Sequence, residues 1–192
     1  QLLYKAGIDH IIVEQRSADY VASRIRAGIL EQVSVDLLEK ADVDQNLNAH
    51  GLPHSGIEIL AQGRKHRVDL ASLTGGKQVT VYGQTEVTKD LMQAREQADL
   101  LSFYEAQSVR VDNLYGLPTV GFEYQNQAYQ IECDFIAGSD GYHGVFRSSV
   151  PEDKMKTFEK VYPFGWLGVL ADVPPVADEL IYVQSERGFA LC

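Results

Sequence analysis

Hydrophobic residues in the first hundred positions recur with two different periods. Leu2, Leu3 and Ala6 fall on one face at helical spacing, and Gly7 follows them as a helix C′ residue. Ile11-Ile12-Val13 is a short uninterrupted apolar run closed by Glu14, the pattern of a strand buried in a parallel sheet. A helix end, a parallel strand and an acid at its close form the back half of a βαβ unit. Residues 17–23 predict a helix, with Ser17 as candidate N-cap and Asp19 in the first turn. A second helix is expected over 30–40, with Leu30, Val33, Leu37 and Leu38 on its apolar side. Residues 46–56 read as a polar loop bearing Gly and Pro. Segments 57–60 and 66–70 flank Gly63 and predict a β-hairpin. Residues 79–82 predict a strand and 85–98 a helix, with Val87, Leu91, Met92 and Ala94 turned inward.

From residue 101 the apolar period falls to two. Segments 102–104, 108–111, 119–124 and 128–136 predict short strands separated by turns. Ala137-Gly138-Ser139-Asp140-Gly141 is a tight turn, and a helical stretch runs from it to about Val150, where Pro151 stops it. Alternation returns at 157–162, 166–171, 179–183 and 188–191 and predicts an antiparallel sheet. βαβ elements mixed with antiparallel hairpins place the chain in the α/β class, with a β-sheet region inserted or appended.

Composition narrows the function classes. The chain has 192 residues, with Lys+Arg 17 against Asp+Glu 27 and a net charge of −10. An acid excess of that size argues against a dedicated nucleic-acid binder, which needs a basic face to neutralise phosphates. No apolar run reaches membrane-spanning length, so no membrane partner is expected. Cys133 and Cys192 cannot build a disulfide framework and fit a reducing, cytoplasmic location. The chain opens on Gln1 rather than Met and closes on the apolar run Phe189-Ala190-Leu191-Cys192, so it is expected to be a piece of a longer protein.

Three segments carry candidate chemistry. Glu14 closes an apolar strand, where dinucleotide-binding folds place an acid on ribose hydroxyls, about 20 residues after a Gly-rich loop. Counting back that far runs off the start of the chain, and taken alone Glu14 reads first as a solvated strand end. Arg24 and Arg26 fall on the same side of an extended segment, with Arg16 nearby. Their forks suit phosphate or flavin-ring oxygens, and equally well a solvated charge pair. Asp140-Gly141-Tyr142-His143-Gly144-Val145-Phe146-Arg147 joins a strand, a tight turn and a helix start, which exposes backbone N–H groups to phosphate oxygens. There Asp140 suits ribose hydroxyls and Arg147 a pyrophosphate; the alternative is a capped turn. Gly75-Gly76-Lys77 lacks the Ser/Thr and upstream Gly of a phosphate loop. No G-x-S-x-G is present, and the five His have no metal-ligand spacing, so no metal is expected.

Together, Gly7-Ile8-Asp9 with Glu14, 24–32, Val81-Tyr82-Gly83-Gln84-Thr85-Glu86, Asp140-Gly141-Tyr142-His143-Gly144 and Tyr162-Pro163-Phe164-Gly165-Trp166-Leu167-Gly168 resemble the single-component FAD-dependent aromatic hydroxylases. Within that family the resemblance is to the branch that hydroxylates 4-hydroxybenzoate, and it runs in order over essentially all 192 residues. The Asp-Gly motif is shared across the wider group; the Arg-Ile-Arg-Ala-Gly and Tyr-Pro-Phe-Gly-Trp segments are specific to the branch.

The resemblance implies a Rossmann-like FAD-binding domain of glutathione-reductase type with an antiparallel β-sheet substrate domain, truncated at both ends. Residues 1–70 would be the first part of the FAD-binding domain with a hairpin excursion, 71–156 its continuation, and 157–192 the start of the substrate sheet. Glu14 matches the acid on the FAD ribose. Arg26 and Gln84 match further FAD contacts, and Asp140 matches the Asp serving both FAD and NADPH. His143 and Arg147 match residues near the NADPH pyrophosphate. Tyr20 and Arg24 lie in the segment that recognises NADPH. Tyr182 matches the tyrosine that hydrogen-bonds the substrate phenol, and His54 the histidine at the solvent end of its proton relay. Trp166, Leu180 and Leu191 match apolar pocket positions.

The implied activity converts 4-hydroxybenzoate to 3,4-dihydroxybenzoate with NAD(P)H and O₂ through a flavin hydroperoxide, in a cytoplasmic homodimer. Gln15-Arg16 reverses the family's usual order, and 2′-phosphate recognition depends on where that arginine points, so NADPH and NADH both stay open. The family's Gly-rich loop, substrate-carboxylate residues, second relay tyrosine and Gly-Asp motif fall outside these 192 residues, which alone are expected neither to hold FAD tightly nor to turn over. The alternatives are a related hydroxylase of another phenolic acid and a non-catalytic FAD-binding module. Binding alone needs no proton relay, so Tyr182 with His54 argues against the module.

Overall fold

The computed structural model of the chain describes residues 1–24, 28–169 and 171–192. Its elements begin with α1 (Leu2–Lys5), β1 (Ile12–Val13), α2 (Ala18–Ser23), β2 (Ile29–Glu31), α3 (Gln32–Lys40) and α4 (Gln45–His50). Then come β3 (Leu52–His54), β4 (Gly56–Ala61), β5 (Arg64–Asp69), α5 (Leu70–Thr74), β6 (Val79–Val81) and α6 (Gln84–Gln97). The remainder holds β7 (Ser102–Phe103), β8 (Gln107–Asp112), β9 (Thr119–Tyr124), β10 (Gln127–Glu132) and α7 (Val145–Ser149). A 3₁₀ turn at Glu152–Lys154, β11 (Leu180–Ser185) and β12 (Gly188–Leu191) complete it. Two units divide these elements. The first comprises Gln1–His10, Asp19–Leu101 and Ala171–Cys192, and the second Ile11–Ala18 and Ser102–Leu170.

In the first unit β6 lies between β2 and β3, antiparallel to both. The Gly28 carbonyl extends this ladder by accepting from the Tyr82 amide at 2.8 Å. A Cβ at Gly28 would lie 2.6 Å from the Gly83 Cα, so only glycine passes the start of α6 here. Ala41, Val43, Leu47 and Tyr82 are buried in this unit. The Tyr82 hydroxyl donates to Asp90 Oδ2 at 2.6 Å, while Asn46 donates to Asp90 Oδ1 at 2.6 Å, which ties α4 to α6. Burial and the adjacent Asp90 carboxylate raise the Tyr82 phenol well above its ordinary value.

The apolar stripe of α6 is only half-buried; the residue this helix buries is Arg95. Its Nη2 donates to the Leu101 carbonyl at 2.7 Å, and Nη1 lies 2.7 Å from His10 Nε2. The Ile8 carbonyl, 2.9 Å from His10 Nδ1, can only accept. Nδ1 therefore carries the proton, and Nε2 accepts from Arg95.

The other sheet of the first unit runs β12-β11-β4-β5. β4 and β5 form the expected hairpin, with Gln62 and Gly63 at φ +51 and +72, the two left-handed residues of a type I′ turn. β11 pairs parallel with β4, Leu180 beside Ile57 and Tyr182 beside Ile59, and β12 folds back antiparallel on β11.

In the second unit β1 pairs parallel with β7, as the apolar run before Glu14 predicts. β8, β9 and β10 form an antiparallel meander with β9 in the centre. Phe122 is fully buried on β9, its ring 5.0 Å from Phe103 and stacked on Tyr129 at 5.5 Å.

Three sequence expectations are corrected. Residues 46–56 hold α4 and β3 rather than a loop: Leu47 anchors α4 at 3% exposure, and Pro53 is tolerated because β3 is an edge strand. The helix expected over 30–40 starts at Gln32, since Leu30 pairs with Thr80 in the sheet. The strands expected at 157–162 and 166–171 do not form among the described residues; only β11 and β12 do, and β11 joins β4 in parallel. Alternation specifies faces but supplies no partner ladder, and without one a strand is marginal.

Phe122→Ala is expected to destabilise the protein by about 3–5 kcal/mol, the cost of emptying a fully buried aromatic site. Urea unfolding measures it, and a loss below about 1 kcal/mol contradicts the assigned core.

Candidate functional site

Two groups of candidate residues lie in the second unit. Glu14 is held at the carboxyl end of β1 by its neighbours: its amide donates to the Phe103 carbonyl at 2.8 Å, and its carbonyl accepts from the Ala106 amide at 3.0 Å. The end of a parallel strand is where open α/β sheets bind ligands. Glu14 Oε1 accepts from the Arg16 amide at 2.7 Å. The second group surrounds the turn before α7. Gly141 takes φ +75, a conformation open to glycine, and Asp140 Oδ2 accepts from the Phe146 amide at 2.8 Å. The Asp140 carboxylate occupies the space a Cβ on Gly144 would need, so the second glycine is required by close approach.

Around this turn the Arg147 guanidinium lies 4.5 Å above the Tyr142 ring, and the His143 ring meets that ring edge-on at 5.0 Å. Arg147 Nη2 also donates to Thr157 Oγ1 at 3.0 Å. Asp140, His143 and Arg147 thus gather in one cluster with Tyr142, which sequence reasoning did not single out; the arginine is half-buried and the others are exposed. No hydrogen bond or ion pair links Glu14 to that cluster among the described residues. Trp166 lies further along the same unit, 80% exposed, with its ring 6.3 Å from Phe164.

The remaining candidates lie in the first unit. Tyr20 and Arg24 stack at 5.3 Å, one helical turn apart. The Arg24 carbonyl accepts from Thr85 Oγ1 at 3.0 Å, next to Gln84 at the start of α6. Tyr20, Arg24 and Gln84 are thereby brought into one neighbourhood. Arg26 lies outside the described residues. Gln84 also borders a groove of about 590 Å³ whose walls include Leu3, Ile29, Leu37, Val87 and Leu91. Gly75, at φ +71, is the left-handed cap of α5, which accounts for the Gly75-Gly76 pair.

Leu180 and Tyr182 are two positions apart on β11 and therefore share a face, and Leu191 pairs with Tyr182 across the β11–β12 ladder. The Tyr182 and Phe189 rings are 6.0 Å apart. Across the sheet, Ile59 and His66 continue the Tyr182 row, and Ala61 and Arg64 the Gln184 row. His54 closes β3, paired with Val79, and is 7% exposed. Its Nδ1 is buried without a hydrogen-bond partner. A buried polar atom left unpaired costs about 1–3 kcal/mol. No hydrogen bond joins Tyr182 to His54 among the described residues.

Sequence reasoning missed an ion cluster beside these residues. Arg67 grips Glu179 with Nε and Nη2, each at 2.7 Å, and Ser55 Oγ donates to Glu179 at 3.1 Å. The partners are 112 and 124 positions apart, so no local spacing signals them. The Arg67 hydrogen bonds, helped by Ser55 and the Gly56 amide, hold the Glu179 carboxyl down at about 2. Asp69 is lowered chiefly by the Ser72 amide it caps, and further by Arg67. Among the described residues no group of three or more His, Cys, Asp and Glu is arranged to hold a metal ion.

Residues 1–192 match the family described as FAD binding domain. Over all 192 residues the chain is 80% identical to the p-hydroxybenzoate hydroxylase of Acinetobacter baylyi and covers 48% of that protein. The chain thus spans about half the length of the curated relative it matches. PqsL of P. aeruginosa, solved with 2-aminobenzoylacetate, superposes with a TM-score of 0.73 at 15% identity over 94% of this chain and 49% of its own. The p-nitrophenol 4-monooxygenase PnpA of Pseudomonas putida DLL-E4 gives 0.65 at 16% identity over 76% of this chain and 38% of its own. At these identities the two structures show a shared fold.

Because Glu179 sits near 2 against an ordinary 4.5, its contribution to stability is full above pH 4.5 and is lost as pH falls from there toward 2. Thermal midpoints of wild type and Glu179→Gln are expected to differ at pH 6–7 and to converge as pH drops below 4.5. A gap that stays constant from pH 6 to pH 3 contradicts the assignment.

Proposed function

The chain belongs to the FAD binding domain family, and from that premise we propose that the complete protein is an FAD-dependent aromatic monooxygenase. It hydroxylates 4-hydroxybenzoate beside the phenol to give 3,4-dihydroxybenzoate, using O₂ and NADPH or NADH. The observation that carries this is Tyr182 sharing a sheet face with Leu180 and standing opposite Leu191 across the β11–β12 ladder, in a chain 80% identical along its length to a p-hydroxybenzoate hydroxylase. A phenolic hydroxyl with two leucines beside it suits an aromatic ring that carries a single phenol at that end.

The residues present fit FAD. Glu14 Oε2 and Asp140 Oδ1 carry no internal hydrogen bond among the described residues, which leaves each carboxylate an oxygen for ribose or ribityl hydroxyls. Glu14, Arg26, Gln84 and Asp140 would hold the FAD, while Tyr20, Arg24, His143 and Arg147 would receive the nicotinamide dinucleotide. When bound and reduced, FAD supplies the oxygen-activating chemistry. Within this proposal 1–70 and 71–156 serve the dinucleotides, and 157–192 begins the substrate sheet. The complete protein is a cytoplasmic homodimer. No helix among the described residues is long and apolar enough to cross a membrane.

The chain's own part is to ionise and enclose the substrate. A free phenol ionises near pH 10, so about one molecule in a thousand is phenolate at pH 7. Phenolate pushes more charge onto the neighbouring ring carbon than phenol does, so removing that proton speeds attack there. Tyr182 accepts the phenol proton's hydrogen bond and passes its own proton toward His54, whose imidazole is the proton acceptor of the relay. In support of that role, the Nδ1 of His54 is buried and has no hydrogen-bond partner. Leu180, Leu191 and Trp166 keep water from the ring.

With the purified complete protein, FAD and NADPH, 4-hydroxybenzoate should yield 3,4-dihydroxybenzoate by chromatography, well ahead of any product from the 3-hydroxy isomer. Tyr182→Phe and His54→Asn should each slow hydroxylation by about 10²-fold. Wild-type preference for the 3-hydroxy isomer, or variant kinetics unchanged across pH 6–9, overturns the assignment.

A further inference from the structure

The cluster of Arg67, Glu179 and Ser55 takes no part in the chemistry above, yet it joins the two segments from which that chemistry is drawn. Ser55 directly follows His54, and Glu179 stands three positions before Tyr182. The Glu179 carboxylate accepts from Arg67 Nε and Nη2, from Ser55 Oγ and from the Gly56 amide. Arg67 Nη2 also donates to Ser55 Oγ at 3.0 Å, and Nη1 lies 3.5 Å from Asp69 Oδ2. The guanidinium crosses β4 at Gly56, where a Cβ would come within 2.6 Å of Nη2 and 2.7 Å of Cζ. The glycine is a seat cut for the arginine.

This arrangement answers a register problem. β4 and β11 pair in parallel, so no tight turn sets their alignment. A slip by one residue sends Tyr182 to the opposite face. A slip by two keeps the face but moves the phenol by about 6.6 Å along the sheet. The apolar ladder resists the first slip and is nearly indifferent to the second, because Ile57, Ile59, Leu180 and Tyr182 follow the same alternation. A bidentate arginine–carboxylate fork tolerates neither, since both of its bonds depend on one alignment.

We propose that Arg67, Glu179 and Ser55 form a positioning clamp that sets the height of Tyr182 relative to the strand end bearing His54, and so governs substrate ionisation without touching the substrate. The assignment rests on the function proposed above, in which Tyr182 meets the phenol. The clamp leaves the substrate's carboxylate and ring contacts alone, so it acts on kcat and on phenolate formation rather than on KM.

The test uses the complete holoenzyme and the ultraviolet difference spectrum of bound 4-hydroxybenzoate across pH 6–9. Arg67→Met and Glu179→Gln should each raise the midpoint of phenolate formation by about one pH unit. At pH 7 that is an about tenfold lower ionised fraction, with kcat falling alike and KM within about twofold. Arg67→Lys, which keeps the charge but loses the fork, should recover part of the shift. Ser55→Ala removes one bond and no charge; it should move the midpoint less and in the same direction, and it stands in should Arg67→Met not fold. If the variants melt at lower temperature but keep the wild-type midpoint and kcat, the clamp is structural only and the proposal fails. If the wild type itself binds 4-hydroxybenzoate without ionising or hydroxylating it, the proposed function fails, and the clamp's role with it.

Discussion

Glu179 accepts from Arg67, Ser55 and the Gly56 amide, and so ties β5 and the start of β4 to the chain entering β11. The strands it joins are separated by more than a hundred positions, so loop closure opposes their pairing and no local signal guides it. Burial in this sheet is modest: β4 and β11 are mostly half-buried, and hydrophobic area alone specifies a face more firmly than a register. A short, charged, doubly hydrogen-bonded contact supplies the missing alignment. Its cost is acid sensitivity, because protonating Glu179 removes the fork.

The same economy of close contacts governs the turn before α7. Asp140 caps the Phe146 amide through one oxygen and leaves the other open, so a single carboxylate can shape the turn and still meet a ligand. Gly144 makes room for it, and Gly141 supplies the left-handed bend. Arg147 is held over Tyr142 and tied to Thr157, which orients a cation in an otherwise acidic chain.

Much of the fold was legible in the sequence where the determinants are local. The hairpin about Gly63, the parallel strand ending at Glu14, the meander from 107 to 132 and the glycine turn at 138–144 all follow from period and turn chemistry. What was not legible is non-local. Leu47 alone anchors α4, so no apolar stripe announced that helix. Arg95 is buried on α6 because distant partners, His10 and the Leu101 carbonyl, meet its guanidinium, and its place in the helix does not reveal them. The alternation at 157–171 looked like strand and formed none among the described residues, since pairing needs a neighbour as well as a pattern. Of the candidate site, the family-like motifs marked the individual residues. The burial of His54 with an unpaired Nδ1, and the clamp beside it, emerged only in three dimensions.

The central claim is that the complete protein inserts an oxygen atom from O₂ beside a phenol that its own residues have ionised. Isotope tracing tests this most directly. Turnover of 4-hydroxybenzoate with the complete protein, FAD and NADPH under oxygen-18 gas should give 3,4-dihydroxybenzoate carrying one heavy oxygen, read by mass spectrometry. Product without the label, or label acquired instead from oxygen-18 water, would contradict the account.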